Sequence, residues 1–254
     1  PKLFWSSVWE YANIKGIKND KFYFPKEIIK SKFLIKSRLN YAENLLSKND
    51  NSKAVTFISE NGYREEKSWK ELNNNTFKLI NFFKENRISE KDRIAAYTAN
   101  QIETVEGFLA TSAIGAIWSS CSPDFGTQGV IERFSQIKPK LLIITDRYYY
   151  NGKEINIIDR LPAILKKIKS IKSVLIINYP GKKNLKQKKV KGVNFFYYNK
   201  LKDSKEKKFQ FKKFDFDKEL AILYSSGTTG KPKCICHRAG GVLLQHLKEH
   251  KLHC

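Results

Sequence analysis

Short apolar runs recur through the middle of the chain. They are Arg93–Tyr97 (RIAAY), Ala116-Ile117-Trp118, Leu141-Leu142-Ile143-Ile144, Val174-Leu175-Ile176-Ile177 and Leu220-Ala221-Ile222-Leu223. Runs of this length suit strands buried on both faces. Between them apolar residues fall at helical spacing: Leu72, Phe77, Leu79, Ile80 and Phe83, then Ile102 to Ile114, then Val130, Ile131, Phe134 and Ile137. A further helical stretch is expected over Ile155 to Ile168, around Leu161 and Leu165, with Pro162 unfavourable to its first turn. The boundary signals agree. Ser68-Trp69-Lys70-Glu71 is a capping box, Gly115 closes one helix, and Thr127 is placed to cap the next. Strand–helix alternation with wholly apolar strands predicts an α/β fold, a mostly parallel sheet flanked by helices on both faces.

The flanks of this unit differ. Phe4, Trp5, Val8, Trp9 and Ala12 share one helical face, read as a stripe docked on the core. Pro25 to Leu46 reads as an irregular lead-in ending in a short helix. Ala54–Ile58 and Tyr63–Lys67 read as a hairpin around Asn61-Gly62. Lys182 to Lys218 breaks the rhythm as a lysine-rich surface excursion with one aromatic strand, Val193 to Tyr198.

Composition narrows the function. The 254 residues carry a formal charge of +23, which raises a nucleic-acid-binding module as an alternative. Only eight of the 48 basic residues are arginine, the residue suited to bidentate phosphate and guanine contacts. The lysines are scattered, densest from Lys182 to Lys191, and read as solvated faces. Four cysteines, two of them one residue apart, give no secreted disulfide framework. No apolar run reaches the roughly 20 residues that span a bilayer, and a cytoplasmic location is expected. The chain contains no methionine and begins at Pro1, so it is expected to be a piece of a longer protein.

The candidate chemistry lies in Tyr224-Ser225-Ser226-Gly227-Thr228-Thr229-Gly230-Lys231-Pro232-Lys233, directly after an apolar strand. Glycines let backbone N–H groups turn toward an anion. Ser225, Ser226, Thr228 and Thr229 supply short hydroxyl donors, and Lys231 supplies a charge on a long arm. A plain Ser/Thr/Gly turn is the alternative reading. The stretch is not the common P-loop, which has four residues between its glycines and opens a helix. Here two residues separate Gly227 from Gly230, and Pro232 disfavours helix at Lys231. The loop is expected to run into extended chain at Cys234-Ile235-Cys236.

This decapeptide resembles the signature loop of the adenylate-forming enzymes. Flanking stretches, Leu39 to Leu46, Trp118 to Gly126 and His246 to Cys254, resemble the acetoacetate-activating branch of the acyl-CoA synthetases more than the acetate- or propionate-activating ones. The resemblance runs the length of the chain. It implies an incomplete N-terminal domain of an adenylate-forming enzyme: a helical lead-in over 1–46 and a partial AMP-binding domain over 47–254. It also implies ATP, acetoacetate and coenzyme A as small-molecule substrates, with Ser225, Ser226, Gly227, Thr228, Thr229, Gly230 and Lys231 gripping the ATP phosphates. Coenzyme A would approach Asp124, Phe125 and Gly126, with Arg147 or Lys153 near a phosphate. A generic turn is the alternative for both stretches. His237 matches a family histidine on the acyl or adenylate side, while Ala239 stands where the family usually has a second one. The Mg2+ ligand, the hinge and the catalytic lysine are expected downstream of Cys254, so this chain is expected to turn nothing over alone. Cys234, Cys236, His237, His246, His250, His253 and Cys254 raise a zinc site as a further alternative. The strand alternation about Ile235 and the amphipathic spacing of Leu243, Leu244 and Leu247 favour ordinary secondary structure.

Overall fold

The computed structural model describes residues 1–254 except 181, 183–184, 186–189, 203–208 and 227–229. Helix α1 (Lys2–Tyr11) is followed by strands β1 (Gly16–Ile17) and β2 (Arg38–Leu39) and helix α2 (Tyr41–Leu45). The hairpin β3 (Lys53–Ile58) and β4 (Arg64–Ser68) precedes α3 (Trp69–Glu85). Then come β5 (Arg93–Tyr97), α4 (Ile102–Ala113), β6 (Ile117–Cys121), α5 (Thr127–Ile137) and β7 (Leu141–Thr145). A second hairpin, β8 (Arg147–Tyr150) and β9 (Lys153–Asn156), leads to α6 (Leu161–Lys167) and β10 (Ser173–Ile177). The remaining elements are β11 (Asn194–Tyr197), β12 (Phe214–Asp215), β13 (Glu219–Tyr224), β14 (Cys234–Arg238) and α7 (Ala239–Leu252).

Seven strands form the main sheet in the order β11-β10-β7-β5-β6-β13-β14. All pairings are parallel except β13–β14, an antiparallel return at one edge. Alternation along the strands divides the core. Ile94, Ala96, Leu141, Ile143, Leu175 and Ile177 face one layer with α1, α2, α3, α4 and α7. Ala95, Tyr97, Leu142, Ile144, Val174 and Ile176 face the other, under α5 and α6. That is why the strands read as unbroken apolar runs: both faces are covered. The lead-in joins the first layer through Val8, Trp9, Leu34 and Leu39. Strand β2 pairs with β12 just before β13 begins.

The local signals behave as physics requires. Ser68 and Glu71 form the reciprocal capping box at the start of α3. Gly115 has φ +74°, and a Cβ there would lie 2.5 Å from the Phe214 ring. Three expectations need correction. Strand β6 continues to Cys121 where the sequence indicated a turn, because Ser119 Oγ donates to the Ile222 carbonyl at 2.8 Å and is satisfied inside the sheet. Thr127 is the first residue of α5 and does not cap it; Gly126 holds the cap position with no side-chain bond. Residues 147–156 form a hairpin, where the sequence reading had a loop and the start of a helix. Asn151 and Gly152 at its tip both have positive φ, as a tight hairpin turn demands. The helix starts at Leu161, with Pro162 in its first turn, where no N–H is missed. In α1, Phe4 turns outward and is 47% exposed, while Val8 and Trp9 are buried.

Helix α7 docks by close approach. A Cβ on Gly240 would lie 2.3 Å from the Phe216 ring, whereas a Cβ on Gly241 meets nothing within 4 Å. Gly240→Ala is expected to destabilise the fold by about 1–3 kcal/mol through overpacking. Gly241→Ala is expected to be neutral or stabilising by up to about 1 kcal/mol from helix propensity. Urea unfolding of both variants checks the contrast.

The middle of α7 is held by Tyr41, whose hydroxyl lies 3.0 Å from His246 Nδ1. Burial of the ring, and His250 beside it, keep the His246 pKa below its ordinary value. A depressed histidine pKa means the fold favours the neutral ring. That stability is present above about pH 6.5, the unfolded value, and is lost as pH falls through the folded pKa. The melting temperature is expected to drop between pH 7 and 5, with a smaller drop in His246→Gln.

Candidate active-site edge

Two loops meet at the C-terminal edge of the sheet. After β5 the chain turns to α4 on one face; after β6 it turns to α5 on the other. Neighbouring strands whose connections leave for opposite faces open a crevice between them, the place where open α/β sheets bind ligands. A cavity of about 390 Å³ lies there, lined by Thr98, Asn100 and Thr104 after β5, Ser122 and Asp124 after β6, and Tyr148–Tyr150 of β8. Strand β13 runs parallel beside β6, with Ala221 opposite Trp118. Its exit loop therefore opens on the same edge.

The loop after β13 is the connection of a hairpin. The Ser225 N–H donates to the Lys233 carbonyl at 3.0 Å, and the Lys233 N–H donates to Ser225 Oγ at 3.0 Å. Ser225 thus closes the base of the loop. Ser226, Gly230 and Lys231 are exposed beyond it. Gly230 has φ +150°, a backbone state that disfavours side chains. Gly227, Thr228 and Thr229 lie outside the described residues. As the proline indicated, the chain continues as a strand, β14, and not as a helix.

Helix α5 holds both ends of this loop. Gln136 Nε2 donates to the Pro232 carbonyl at 3.0 Å on the exit side, and the Cys234 thiol lies 3.7 Å from Gln136 Oε1. On the approach side, the buried Arg133 guanidinium lies over the Phe125 ring at 4.1 Å and the Tyr224 ring at 5.9 Å. The Tyr224 hydroxyl lies 3.0 Å from Ser119 Oγ, and burial raises its phenol pKa.

The loop after β6 is equally fixed. Ser122 Oγ donates to Asp124 at 2.7 Å, closing the turn. Arg160, in the turn before α6, donates to the Pro123 and Phe125 carbonyls at 3.2 and 3.0 Å and to the Tyr97 hydroxyl. The buried Tyr97 hydroxyl reaches the Phe125 carbonyl at 2.5 Å. Burial, with a hydrogen bond to Asp124, pushes Tyr148 up to about 12, so it remains a neutral donor.

The sequence-derived residues divide accordingly. Asp124 lines the crevice, Phe125 and Gly126 follow it in the same loop outside the lining, and Lys153 is exposed at the start of β9. Arg147, offered to a phosphate on sequence grounds, is instead buried and paired with Asp146 at 3.3 Å and Glu154 at 2.9 Å. His237 sits on the opposite face of the sheet. It lines an apolar groove of about 800 Å³ with Trp118, Leu223, Val242 and His246. Among the described residues no three His, Cys, Asp or Glu side chains converge as metal ligands. Arg133, Gln136, Arg160 and Tyr97 escaped the sequence reading because only the strand order brings them to the loops.

Comparisons with known proteins follow the same outline. Residues 44–252 match the family described as AMP-binding enzyme. The chain is 40% identical over 252 residues to acetoacetyl-coenzyme A synthetase of Rhizobium meliloti (strain 1021), covering 99% of this chain and 38% of that protein. It is 38% identical over 258 residues to acetoacetyl-CoA synthetase of Gallus gallus, covering 98% of this chain and 39% of that protein. The solved acetoacetyl-CoA synthetase from Streptomyces lividans superposes with a TM-score of 0.87 at 29% identity, over all of this chain and 38% of that one. The chain thus spans about two fifths of the length of the curated relatives it matches. With its parallel sheet, its crevice and its glycine–hydroxyl loop on one edge, and with the family match running over 44–252, the chain belongs to the AMP-binding enzymes.

Proposed function

We propose that this chain carries the ATP-phosphate-binding portion of an acid–CoA ligase acting on acetoacetate. The observation that carries the reading is the closed Ser225–Lys233 hairpin loop opening on the same sheet edge as the β5–β6 crevice. In the first step a carboxylate oxygen attacks the ATP α-phosphorus. The bond to the bridging oxygen breaks, and pyrophosphate leaves. In the second, the coenzyme A sulfur attacks the acyl carbonyl, the bond to the phosphate oxygen breaks, and AMP leaves.

The chain's part is to bind and neutralise the departing phosphates. Ser226, Gly227, Thr228, Thr229, Gly230 and Lys231 present donors where negative charge develops, and fixed donors of this kind stabilise a transition state more than a ground state. Ser225 keeps the loop closed beneath them. Coenzyme A approaches from the crevice side, past Asp124, Phe125 and Gly126, with Lys153 available to a phosphate. His237 lines the groove on the other face, on the acyl or adenylate side. ATP would enter as its Mg2+ complex, and the resemblance puts the protein ligand of that metal downstream of Cys254. The relatives that match are named for acetoacetate, and acetate or propionate is the second choice of acid. Four free cysteines and no helix long and apolar enough to cross a membrane among the described residues fit a cytoplasmic setting.

The test is pyrophosphate exchange by the chain extended to the length of its relatives, with a panel of short acids. Acetoacetate is expected to be turned over best. Preference for acetate or propionate assigns the acid differently, and no exchange with any acid refutes the ligase reading. In the same assay Lys231→Ala is expected to lower kcat/KM for ATP by about 10²–10³-fold. Unchanged exchange removes the loop from the mechanism.

A further inference from the structure

The lead-in builds a feature that the ligase reading does not use. Between Phe22 and Phe33 the chain makes a pinched loop. Tyr23 and Lys32 exchange backbone hydrogen bonds at 2.9 and 2.8 Å. Above this pinch a single helical turn, Ile28–Lys30, is closed by the Lys30 and Ser31 N–H groups donating to the Glu27 and Ile28 carbonyls at 3.0 Å each. At the base of the loop Phe22, Phe24 and Phe33 pack ring against ring, with centroids 5.3–6.1 Å apart, and Phe33 leans on Trp5 at 6.4 Å. The turn itself is closed by its backbone hydrogen bonds.

What the tip presents is apolar. Ile28 is 87% exposed and Ile29 is 90% exposed, the two most exposed large hydrophobic side chains described. Values this high mean that both side chains project beyond their neighbours. Residues 21–36 around them carry five exposed lysines, Lys21, Lys26, Lys30, Lys32 and Lys36, and one acid, Glu27. Glu27 is already paired with Lys30 at 2.8 Å. The ratio of five to one compares with 48 to 25 for the whole chain, so the local charge exceeds the general lysine excess.

We infer that this tip docks on an anionic phospholipid surface. A convex pair of branched aliphatic side chains fits poorly against a flat, stiff protein face but enters the headgroup boundary of a bilayer readily. Flexible lysine arms around it can reach anionic headgroups without fixed geometry. Lysine suits this task, because the target charge is diffuse and calls for no bidentate recognition. The binding is peripheral and reversible: two side chains and a basic collar hold far less firmly than a spanning helix.

The experiment is co-sedimentation of the chain with vesicles of phosphatidylcholine alone and of phosphatidylcholine with phosphatidylserine. The chain is expected to bind the anionic vesicles, to release as salt rises, and to leave the neutral ones in solution. Ile28→Ser with Ile29→Ser is expected to weaken anionic binding at least about tenfold without shifting the melting temperature, because both side chains are solvent-exposed. Undiminished binding by the double variant overturns the inference and attributes adsorption to the scattered lysines. Absence of binding by the unmodified chain overturns it as well, and leaves the tip to the remainder of a longer chain or to a second copy. Ile28→Trp gives an independent reading: brominated lipid is expected to quench its emission, and an unquenched tip counts against insertion.

Discussion

The candidate site depends on one pairing, β13 lying parallel beside β6. The ladder between them is short, with a single registered pair at Ala221 and Trp118. It is completed by side chains: Ser119 Oγ bonds the Ile222 carbonyl, and the Arg133 guanidinium lies between the Phe125 and Tyr224 rings. A buried cation needs compensation. Here the faces of two aromatic rings and the Gly129 carbonyl at 3.0 Å provide it. One consequence is geometric. The ring that ends the loop after β6 and the ring that begins the loop after β13 share the same guanidinium, so neither loop can shift without disturbing the other.

The antiparallel return explains how such a loop would hold phosphate without a helix. In the common P-loop the chain enters a helix, and the anion sits on its N-terminus. Here Pro232 and the Lys233–Ser225 bonds turn the chain back as β14. Under the proposed reading the anion would rely on loop N–H groups, hydroxyls and a lysine. Such an arrangement needs its ends fixed, because a free ten-residue loop loses too much entropy on ordering. Ser225 at the base and Gln136 on the exit strand supply that restraint. Helix α7 starts only after β14, and Gly240 lets it lie against Phe216.

Much of the fold was legible because both faces of the parallel strands are buried. Arg93–Tyr97 was bounded correctly, and Ser68 with Glu71 marked the start of α3. The misreadings share a cause. Ser119, Ser120 and Cys121 looked like a turn because a polar residue in a strand is satisfied only by a neighbour the sequence does not reveal, here Ile222. The β8–β9 hairpin was missed although Asn151-Gly152 is a strong hairpin signal, because residues 148–153 read as a loop and Ile155 also fits the spacing of the helix that follows. The loop itself was evident from residue types. Its supports were not: Arg133, Gln136 and Arg160 look like ordinary polar positions on α5 and before α6, and only the packing of α5 against both loops, and of the turn before α6 against the loop after β6, gives them a role. Arg147 shows the opposite failure, a basic residue in an exposed-looking stretch that is buried against Asp146 and Glu154.

The central claim is that the loop between β13 and β14 receives the phosphate end of a nucleoside triphosphate. Backbone amide chemical shifts, recorded while millimolar pyrophosphate or ATP is titrated into the chain, test it most directly. The account predicts saturable shifts concentrated at Ser226 to Lys231, with smaller ones at Gln136 and Tyr224. Shifts confined to lysine-rich surface segments, with Ser226, Gly230 and Lys231 unmoved, would contradict it.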